Sequence, residues 1–323
     1  MSPPRTIRRK SKAASVGALL LAPLSLLYGA VAALRVRSWR ERRRSLSRPV
    51  LSVGNLTFGG TGKTPTVIFL CTWFRDRGKR PAILSRGYRA EGTAGNDEAQ
   101  VILRHLPNVE HFQDPDRYRA GSAVQERFDL FVLDDGFQHH PLQRDLDLVL
   151  VDATDPFGGG WCPPGGRLRE PLSSLDRADA VVLTRADLVD REDLGETMRK
   201  VREKTHAPVA TARFVPTCAD ELTGQSVLVA CGIGNPHAFV RTVESLGATV
   251  AEQRFFRDHH AFTVADAEDL ARQPLPVVVT EKDAVKLEAL WPEGAAPLAV
   301  VTIEFEFLEG GDAVLALLEQ LCP

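Results

Sequence analysis

The sequence predicts an α/β protein with a doubly wound, mostly parallel sheet. From Pro49 onward, short apolar runs alternate with longer segments of helical character, as buried parallel strands do with their crossover helices. The first run leads into a glycine-rich turn that ends in Gly62-Lys63-Thr64. A strand followed by such a turn is typical of P-loop NTPase-like folds, in which the turn and the next helix bind phosphate.

Apolar runs with the length of buried strands occur in both halves of the chain. They are residues 50–53, 82–84, 128–133, 146–151, 180–183, 227–230, 249–250, 277–280 and 298–303. Between residues 205 and 226 the alternation loosens around several breakers, which favours a domain boundary near Val215. We therefore predict a membrane-anchoring helix within residues 1–45, a P-loop nucleotide-binding domain at 46–215 and a smaller α/β domain at 216–323.

Composition narrows the class of protein further. With 323 residues, of which 44% are hydrophobic, the chain can bury a core large enough for two domains. A net charge of -2 argues against a nucleic-acid-binding protein. The five cysteines form no C-x-x-C pair, which favours reduced thiols in the cytosol over disulfides or a zinc site.

The N-terminal segment combines apolar and basic character. Residues 13–34 contain no charged residue, and arginines and lysines flank them on both sides. The length would suit a membrane span, and the basic start resembles a signal peptide. Positive charge on both sides better suits a helix on an anionic leaflet. We favour an anchor at the cytoplasmic face, then a span, and lastly a signal peptide, since export would separate the nucleotide loop from ATP.

The glycine-rich turn carries the strongest chemical signal. Its residues are Thr57, Phe58, Gly59, Gly60, Thr61, Gly62, Lys63 and Thr64. In a P-loop, Lys63 would reach the β- and γ-phosphates of ATP and the Thr64 hydroxyl would bind Mg²⁺. Thr57 stands where the first glycine of the usual pattern falls, so the loop is a variant. An ordinary glycine-rich turn would not explain Lys63 and Thr64 at this spacing.

A second apolar run ends in Asp134-Asp135-Gly136. Carboxylates at the carboxyl end of a parallel strand face the nucleotide crevice and can serve Mg²⁺. Alone, this ending is most often a turn. Combined with the phosphate loop, it predicts a group that positions metal or water.

Other polar residues permit roles that spacing alone does not decide. A kinase acting on an alcohol needs a proton acceptor, which Asp97 and His259 or His260 could form if the fold joins them. Such residues are more often solvated or structural. Arg86 and Arg169 could bind phosphate, although salt bridges are the default role for arginine.

At this point the sequence resembles one family, the tetraacyldisaccharide 4′-kinases of lipid A biosynthesis. The resemblance rests on several motifs in order along most of the chain. They are LAPLSLLYG (21–29), VGNLTFGGTGKTP (53–65), LSRGY (84–88), GNDE (95–98), DDGFQH (134–139), RD (144–145), FGGGW (157–161), PPGGRLRE (163–170), DH (258–259) and TEKDAVK (280–286).

The resemblance implies the reaction, the cofactors and the location. ATP with Mg²⁺ would phosphorylate the 4′-hydroxyl of a tetraacylated glucosamine disaccharide 1-phosphate, giving lipid IVA. The enzyme would be a monomer at the cytoplasmic face of the bacterial inner membrane, anchored there by its N-terminal helix. It would not bind nucleic acid.

The resemblance also implies roles for individual residues. Asp97 would be the catalytic base, with His259 as its partner and Lys63 on the phosphates. The remaining candidates divide into a metal cluster (Thr64, Asp134, Asp135 and Glu170) and nucleotide-side polar contacts (Arg86, Gln138 and Arg169). Because the predicted boundaries put Asp97 and His259 in different domains, we expect this pair to assemble on domain closure.

Two rival functions remain open from the residues alone. Thr184-Arg185-Ala186-Asp187 resembles the strand-end motif with which G-proteins recognise guanine, so a GTPase switch is one alternative. A membrane-associated ATPase is the other. A GTPase would prefer GTP, and an ATPase would hydrolyse ATP without a sugar lipid.

Overall fold

The computed structural model describes residues 21–87 and 97–322. Residues 1–20 of the predicted anchor, and Tyr88, Gly95 and Asn96 of the motifs, lie outside these ranges. The α-helices of the described residues are α1 (Ala22–Trp39), α2 (Lys63–Arg75), α3 (Asp97–His105), α4 (Arg117–Val124), α5 (Arg191–Arg202), α6 (Pro236–Ser245), α7 (Val264–Ala271), α8 (Glu281–Leu287) and α9 (Gly311–Leu321). The strands are β1 (Val50–Asn55), β2 (Pro81–Ser85), β3 (His111–Gln113), β4 (Leu130–Asp134), β5 (Leu146–Asp152), β6 (Ala180–Thr184), β7 (Val209–Cys218), β8 (Ser226–Cys231), β9 (Thr249–Phe255), β10 (Val277–Thr280) and β11 (Ala299–Glu309).

The described residues divide into two compact units. The first unit contains residues 21–87, 106–214 and 305–322, and the second contains residues 97–105 and 215–304. This division differs from the predicted segments at two places, because α3 belongs to the second unit and α9 to the first. Whether the units fold as independent domains stays a prediction.

The first unit is built on parallel strands in the order β3-β2-β4-β1-β5-β6-β7. Every residue of β1, β2 and β6 is buried, as expected for a parallel sheet covered on both faces. Strand β1 lies between β4 and β5, which follow it much later in the chain. The predicted fold class, α/β with a doubly wound parallel sheet, is confirmed.

The second unit contains β8, β9, β10 and the first part of β11 (residues 299–304) in the order β11-β10-β8-β9, and the pairs of β8 and β10 are parallel. The alternation of side chains along β8 separates two cores. Val227, Val229 and Cys231 pack with residues of α6, whereas Leu228 and Ala230 pack with residues of α7 and α8.

The stretch where the alternation loosens contains a strand that the sequence did not predict. Strand β7 has ten residues, and from Arg213 onward each is only half-buried. This part of β7 has no alternation of buried and exposed residues, so its sequence shows no period-two apolar pattern, and Pro216 lies within it. The three-residue strand β3 was missed because it is short and half-buried throughout.

Helix α1 is docked through small residues and leaves an apolar stripe exposed. The backbone N–H of Gly165 donates a hydrogen bond to Ser25 Oγ at 3.0 Å, and Gly29 packs closely against Pro171. The exposed stripe consists of Leu24, Leu27, Val31 and Leu34, each more than half exposed. Among residues 21–87 and 97–322, no helix combines the length and apolar character needed to cross a membrane.

Candidate active site

The glycine-rich turn follows β1, at the point where the strand order of the first unit reverses. Ligands of doubly wound sheets bind at such a point. Two glycines in the turn have backbone angles that other residues rarely adopt, with φ of 126° at Gly59 and 88° at Gly62. A Cβ atom added to Gly62 would lie only 1.8 Å from Cζ of Phe214. Glycine is therefore required at position 62 by both its backbone and its neighbour.

Thr57 has a structural role that explains the variant pattern. It is buried and forms an antiparallel bridge with Leu168. An extended residue in a bridge does not need the conformational freedom of glycine. The bridge also brings the segment that follows Leu168 beside the loop, since the N–H of Arg169 donates to the carbonyl of Leu56 at 2.7 Å.

The loop is held in shape by residues that the sequence did not single out. The side-chain amide of buried Asn55 donates to Thr61 Oγ1 at 3.0 Å and to the carbonyl of Thr57 at 2.9 Å. Thr184 Oγ1 donates to the Thr61 carbonyl, and Arg185 donates to the Gly60 carbonyl, each at 3.0 Å. In the sequence, the polar Asn55 at the end of an otherwise apolar strand could have indicated this supporting role. The Thr184-Arg185 segment thus supports the loop.

Four predicted residues meet beside the loop. Lys63 Nζ lies 3.3 Å from Asp135 Oδ1, and Arg169 Nη1 lies 2.9 Å from both carboxylate oxygens of Asp135. Gln138 accepts from Arg169 at 3.3 Å and donates to the Asn55 carbonyl at 3.0 Å. Burial alone would raise the pKa of Asp135, but the charges and hydrogen bonds of Lys63 and Arg169 outweigh it, so the pKa is lowered.

Phe58 adds an aromatic surface to this group. Its ring centroid lies 5.2 Å from the Arg169 guanidinium carbon, within cation–π distance, and the residue is 45% exposed. Lys63, Arg169 and the Gln138 amide therefore lie together next to the glycine-rich loop.

The candidate base and its histidine lie in the second unit. Asp97 begins α3, and its Oδ2 is 3.4 Å from Nδ1 of His259 and 3.2 Å from Nζ of Lys286. His259 adopts a φ of 57°, and its N–H donates to the Gly232 carbonyl at 3.0 Å. This left-handed conformation turns the imidazole towards the carboxylate.

His260 has different partners. Its Nε2 lies 3.2 Å from Asp266 Oδ2, and its ring stacks on Phe256 with centroids 4.8 Å apart. Of the two adjacent histidines, His259 is thus the one that contacts Asp97. The expectation that Asp97 and His259 assemble by domain closure does not hold, because α3 belongs to the same compact unit as residues 215–304.

Comparison with known proteins identifies the family. The model of the family described as LpxK, tetraacyldisaccharide-1-P 4′-kinase, matches residues 17–322. The chain belongs to this family. The predicted resemblance is confirmed.

Individual relatives agree with the family match. The tetraacyldisaccharide 4′-kinase of Anaeromyxobacter sp. (strain K) is 38% identical, covering 94% of this chain and 91% of the relative. The enzyme of that name from Chlorobium luteolum is 34% identical, covering 84% and 87%. A solved structure of LpxK from Aquifex aeolicus, in complex with ATP, has a TM-score of 0.75 and 27% identity, covering 95% of this chain and 100% of that one.

The remaining residues that the kinase resemblance selected lie in different surroundings. Asp134 ends β4, in register with Val53 of β1, and Thr64 is in the first turn of α2. Glu170 is buried and accepts from Arg177 at 2.8 Å, and its other oxygen is 3.6 Å from His140. Arg86 is exposed just after β2.

The donor chemistry of these residues suits magnesium. Within the part of the chain that the structure describes, no group of three or more His, Cys, Asp or Glu side chains is arranged to hold a metal ion by itself. Mg²⁺ in kinases, however, is held by one or two carboxylates together with substrate phosphates and water. The Thr64 hydroxyl and the Asp134 carboxylate are hard oxygen donors of this kind.

Proposed function

We propose that the protein transfers the γ-phosphoryl group of ATP to the 4′-hydroxyl of a tetraacyldisaccharide 1-phosphate, a step of lipid A biosynthesis. The observation that carries the proposal is the Asp97–His259 pair, 3.4 Å apart, in a chain that also holds a P-loop. A nucleotide switch or an ATPase needs the loop but does not need a proton acceptor for an alcohol. Family membership favours the kinase over both rivals.

The first unit would supply the groups that bind the nucleotide. Backbone N–H groups of residues 57–64 would surround the phosphates, and Lys63 would neutralise the charge that develops on them. Arg169 and Gln138 would add donors beside Lys63. Thr64, Asp134 and Asp135 would hold Mg²⁺, which when bound offsets phosphate charge. For Glu170 and Arg86 a direct role stays a prediction.

The second unit would supply the proton acceptor. As the 4′-oxygen forms its bond to the γ-phosphorus and the bond to the β-phosphate oxygen breaks, the hydroxyl proton would pass to Asp97 and ADP would leave. His259 would keep the Asp97 carboxylate oriented through its Nδ1 atom. The products are the 4′-phosphorylated lipid, ADP and one proton.

Helix α1 would hold the enzyme at its lipid substrate. The exposed stripe of leucines and valine suits an acyl boundary, and Arg35, Arg37 and Arg40 follow it in position to meet anionic headgroups. We infer a peripheral, monomeric enzyme at the cytoplasmic face of the bacterial inner membrane.

A vesicle-flotation experiment tests this placement. Val31→Asp should strongly reduce the fraction of protein that floats with vesicles of anionic phospholipid, because it puts a charge in the stripe. The matched control is Val264→Asp, since Val264 is 56% exposed and Val31 is 57% exposed. Equal flotation of the two variants would contradict the role of α1.

The reaction itself is tested by supplying radiolabelled ATP with a tetraacyldisaccharide 1-phosphate acceptor in detergent micelles. Label should appear on the lipid with wild-type protein and not with Lys63→Ala, and GTP should be a much poorer donor. Hydrolysis of ATP at the same rate with and without acceptor would favour the ATPase. A strong preference for GTP would favour the switch.

A further inference from the structure

Helices α3 and α8 of the second unit are joined by a row of ion pairs. Two lysines, one helical turn apart on α8, meet the two acidic residues of the first turn of α3. Lys286 Nζ lies 3.2 Å from Asp97 Oδ2, and Lys282 Nζ lies 3.0 Å from Glu98 Oε1. Further along, His105 pairs with Glu281, and Arg104 with Glu288 at 2.7 Å. The helix that begins with the candidate base is therefore fixed by charge along its length.

Lys286 differs from the other members of this row in its surroundings. Its side chain is only 16% exposed, whereas that of Lys282 is 37% exposed. Its ammonium lies 3.6 Å from Asp283 Oδ1, on a side chain with no exposure, and 5.5 Å from the centroid of the Phe262 ring. An ammonium enclosed in this way keeps one position, and it loses less rotamer freedom on contacting Asp97 than an exposed lysine would.

The same ammonium also fixes the histidine loop. Lys286 Nζ donates to the backbone carbonyl of His260 at 3.1 Å. Asp283 also holds the histidine loop, because its Oδ2 accepts a hydrogen bond from the Gly232 N–H at 3.1 Å. The Gly232 carbonyl in turn accepts from the N–H of His259. Lys286 thus touches Asp97 directly and holds the turn that presents the imidazole.

We propose that Lys286 is a positioning residue for phosphoryl transfer, whose ammonium keeps the Asp97 carboxylate oriented next to His259. The inference rests on the proposed function, in which Asp97 accepts the hydroxyl proton. Within residues 21–87 and 97–322, the charged groups in contact with Asp97 are Lys286 from α8 and His259 from the loop, with Glu98 beside it on α3. An ion pair with an ammonium that is itself held in place limits the rotation of the carboxylate. Lys282 lacks this role because its partner is Glu98.

The test compares two variants that each remove one lysine of α8. Lys286→Met should lower kcat by ~10- to 100-fold, a smaller loss than removal of the base itself, and leave the KM for ATP nearly unchanged. Lys282→Met, which breaks the adjacent ion pair, should change kcat by less than about 3-fold, as expected for an exposed pair. A kcat for Lys286→Met equal to that of Lys282→Met would overturn the proposal.

A charge-preserving variant separates positioning of the base from general stability. Lys286→Arg keeps a cation and a hydrogen-bond donor at this position and should recover most of the kcat that is lost in Lys286→Met, so it remains informative if the methionine variant fails to fold. A kcat in Lys286→Arg as low as that in Lys286→Met, or a loss in Lys286→Met that appears in the KM for ATP and not in kcat, would overturn the proposal. Wild-type protein that transfers no label to lipid would instead refute the proposed function.

Discussion

Two aspartates of this protein each lie beside a lysine, one in each compact unit, and their surroundings differ. Asp135 lies 3.3 Å from Lys63 and also receives two contacts of 2.9 Å from Arg169. Asp97 lies 3.2 Å from Lys286 and 3.4 Å from His259. The first carboxylate thus faces two permanent cations, whereas the second faces one ammonium and an imidazole.

The difference separates two chemical roles. Two cations lower the pKa of Asp135, so this carboxylate is a poor proton acceptor and is suited to arranging cationic groups around phosphate. The Lys286 ammonium beside Asp97 also lies 3.6 Å from buried Asp283, so one cation interacts with two carboxylates. We therefore assign nucleotide chemistry to the surroundings of Asp135 and proton transfer to Asp97.

Removal of the Asp97 carboxylate should give the largest effect. Asp97→Asn is expected to lower kcat by ~10²- to 10⁴-fold, the usual contribution of a general base, as measured by initial rates of lipid phosphorylation. The other Asp–His contact of the second unit provides the control, because Asp266→Asn alters a contact of 3.2 Å to His260. If kcat fell equally in Asp97→Asn and Asp266→Asn, the Asp97–His259 pair would have no special role in the reaction.

A methyl group on the phosphate loop should give the next largest effect. Gly62→Ala places a Cβ 1.8 Å from the Phe214 ring at a φ of 88°, so kcat/KM for ATP should fall by at least ~10-fold. Gly60→Ala is the matched control, because a Cβ at Gly60 would meet nothing within 4 Å. Phe214→Ala should restore part of the activity of Gly62→Ala. Similar losses of kcat/KM in Gly62→Ala and Gly60→Ala would show that the contact with Phe214 is not the cause of the loss.

The smallest expected effect concerns His140, five residues after Asp135, and its contribution to the stability of the fold in acid. Burial, with the charge of Arg177 and other arginines, lowers the pKa of His140 from 6.5 to about 3. Below pH 6.5 the unfolded chain therefore binds a proton that the folded protein excludes, so stability is full above this pH and falls as the pH decreases towards 3.

Replacing this imidazole should flatten the pH dependence. Between pH 7.5 and 5.5, the free energy of unfolding from urea titrations should fall by up to ~1.4 kcal/mol less in His140→Gln than in wild type. His206→Gln, at an exposed position, provides the control. An unchanged pH dependence in His140→Gln would show that His140 does not contribute to it.

The sequence located the glycine-rich loop more directly than the contact between the candidate base and its histidine. Strand β1, the loop and Lys63 are contiguous, so a local pattern was sufficient to place them. Asp97 and His259 are 162 positions apart, and only the family resemblance joined them. Their contact depends on the packing of α3 on α8, which no local periodicity encodes.

Several supporting residues gave only weak signals in the sequence. The arginine in the Thr184-Arg185 segment resembled a guanine motif, yet it donates to a carbonyl of the phosphate loop. Lys286 lay within a family motif without an assigned role, because its contact with Asp97 depends on the packing of α8 on α3. Glu170 was grouped with the metal, whereas its nearest partner is Arg177. Ion-pair partners that are distant in sequence are set by tertiary packing, and residue type alone does not select them.

Equilibrium binding of ATP, measured by calorimetry in the presence of Mg²⁺, tests the division of roles most directly. Lys63→Met should weaken binding by at least ~10-fold, or 1.4 kcal/mol, whereas Asp97→Asn should bind ATP within about 2-fold of wild type. Loss of ATP affinity in Asp97→Asn as large as that in Lys63→Met would contradict the assignment of Asp97 as the proton acceptor.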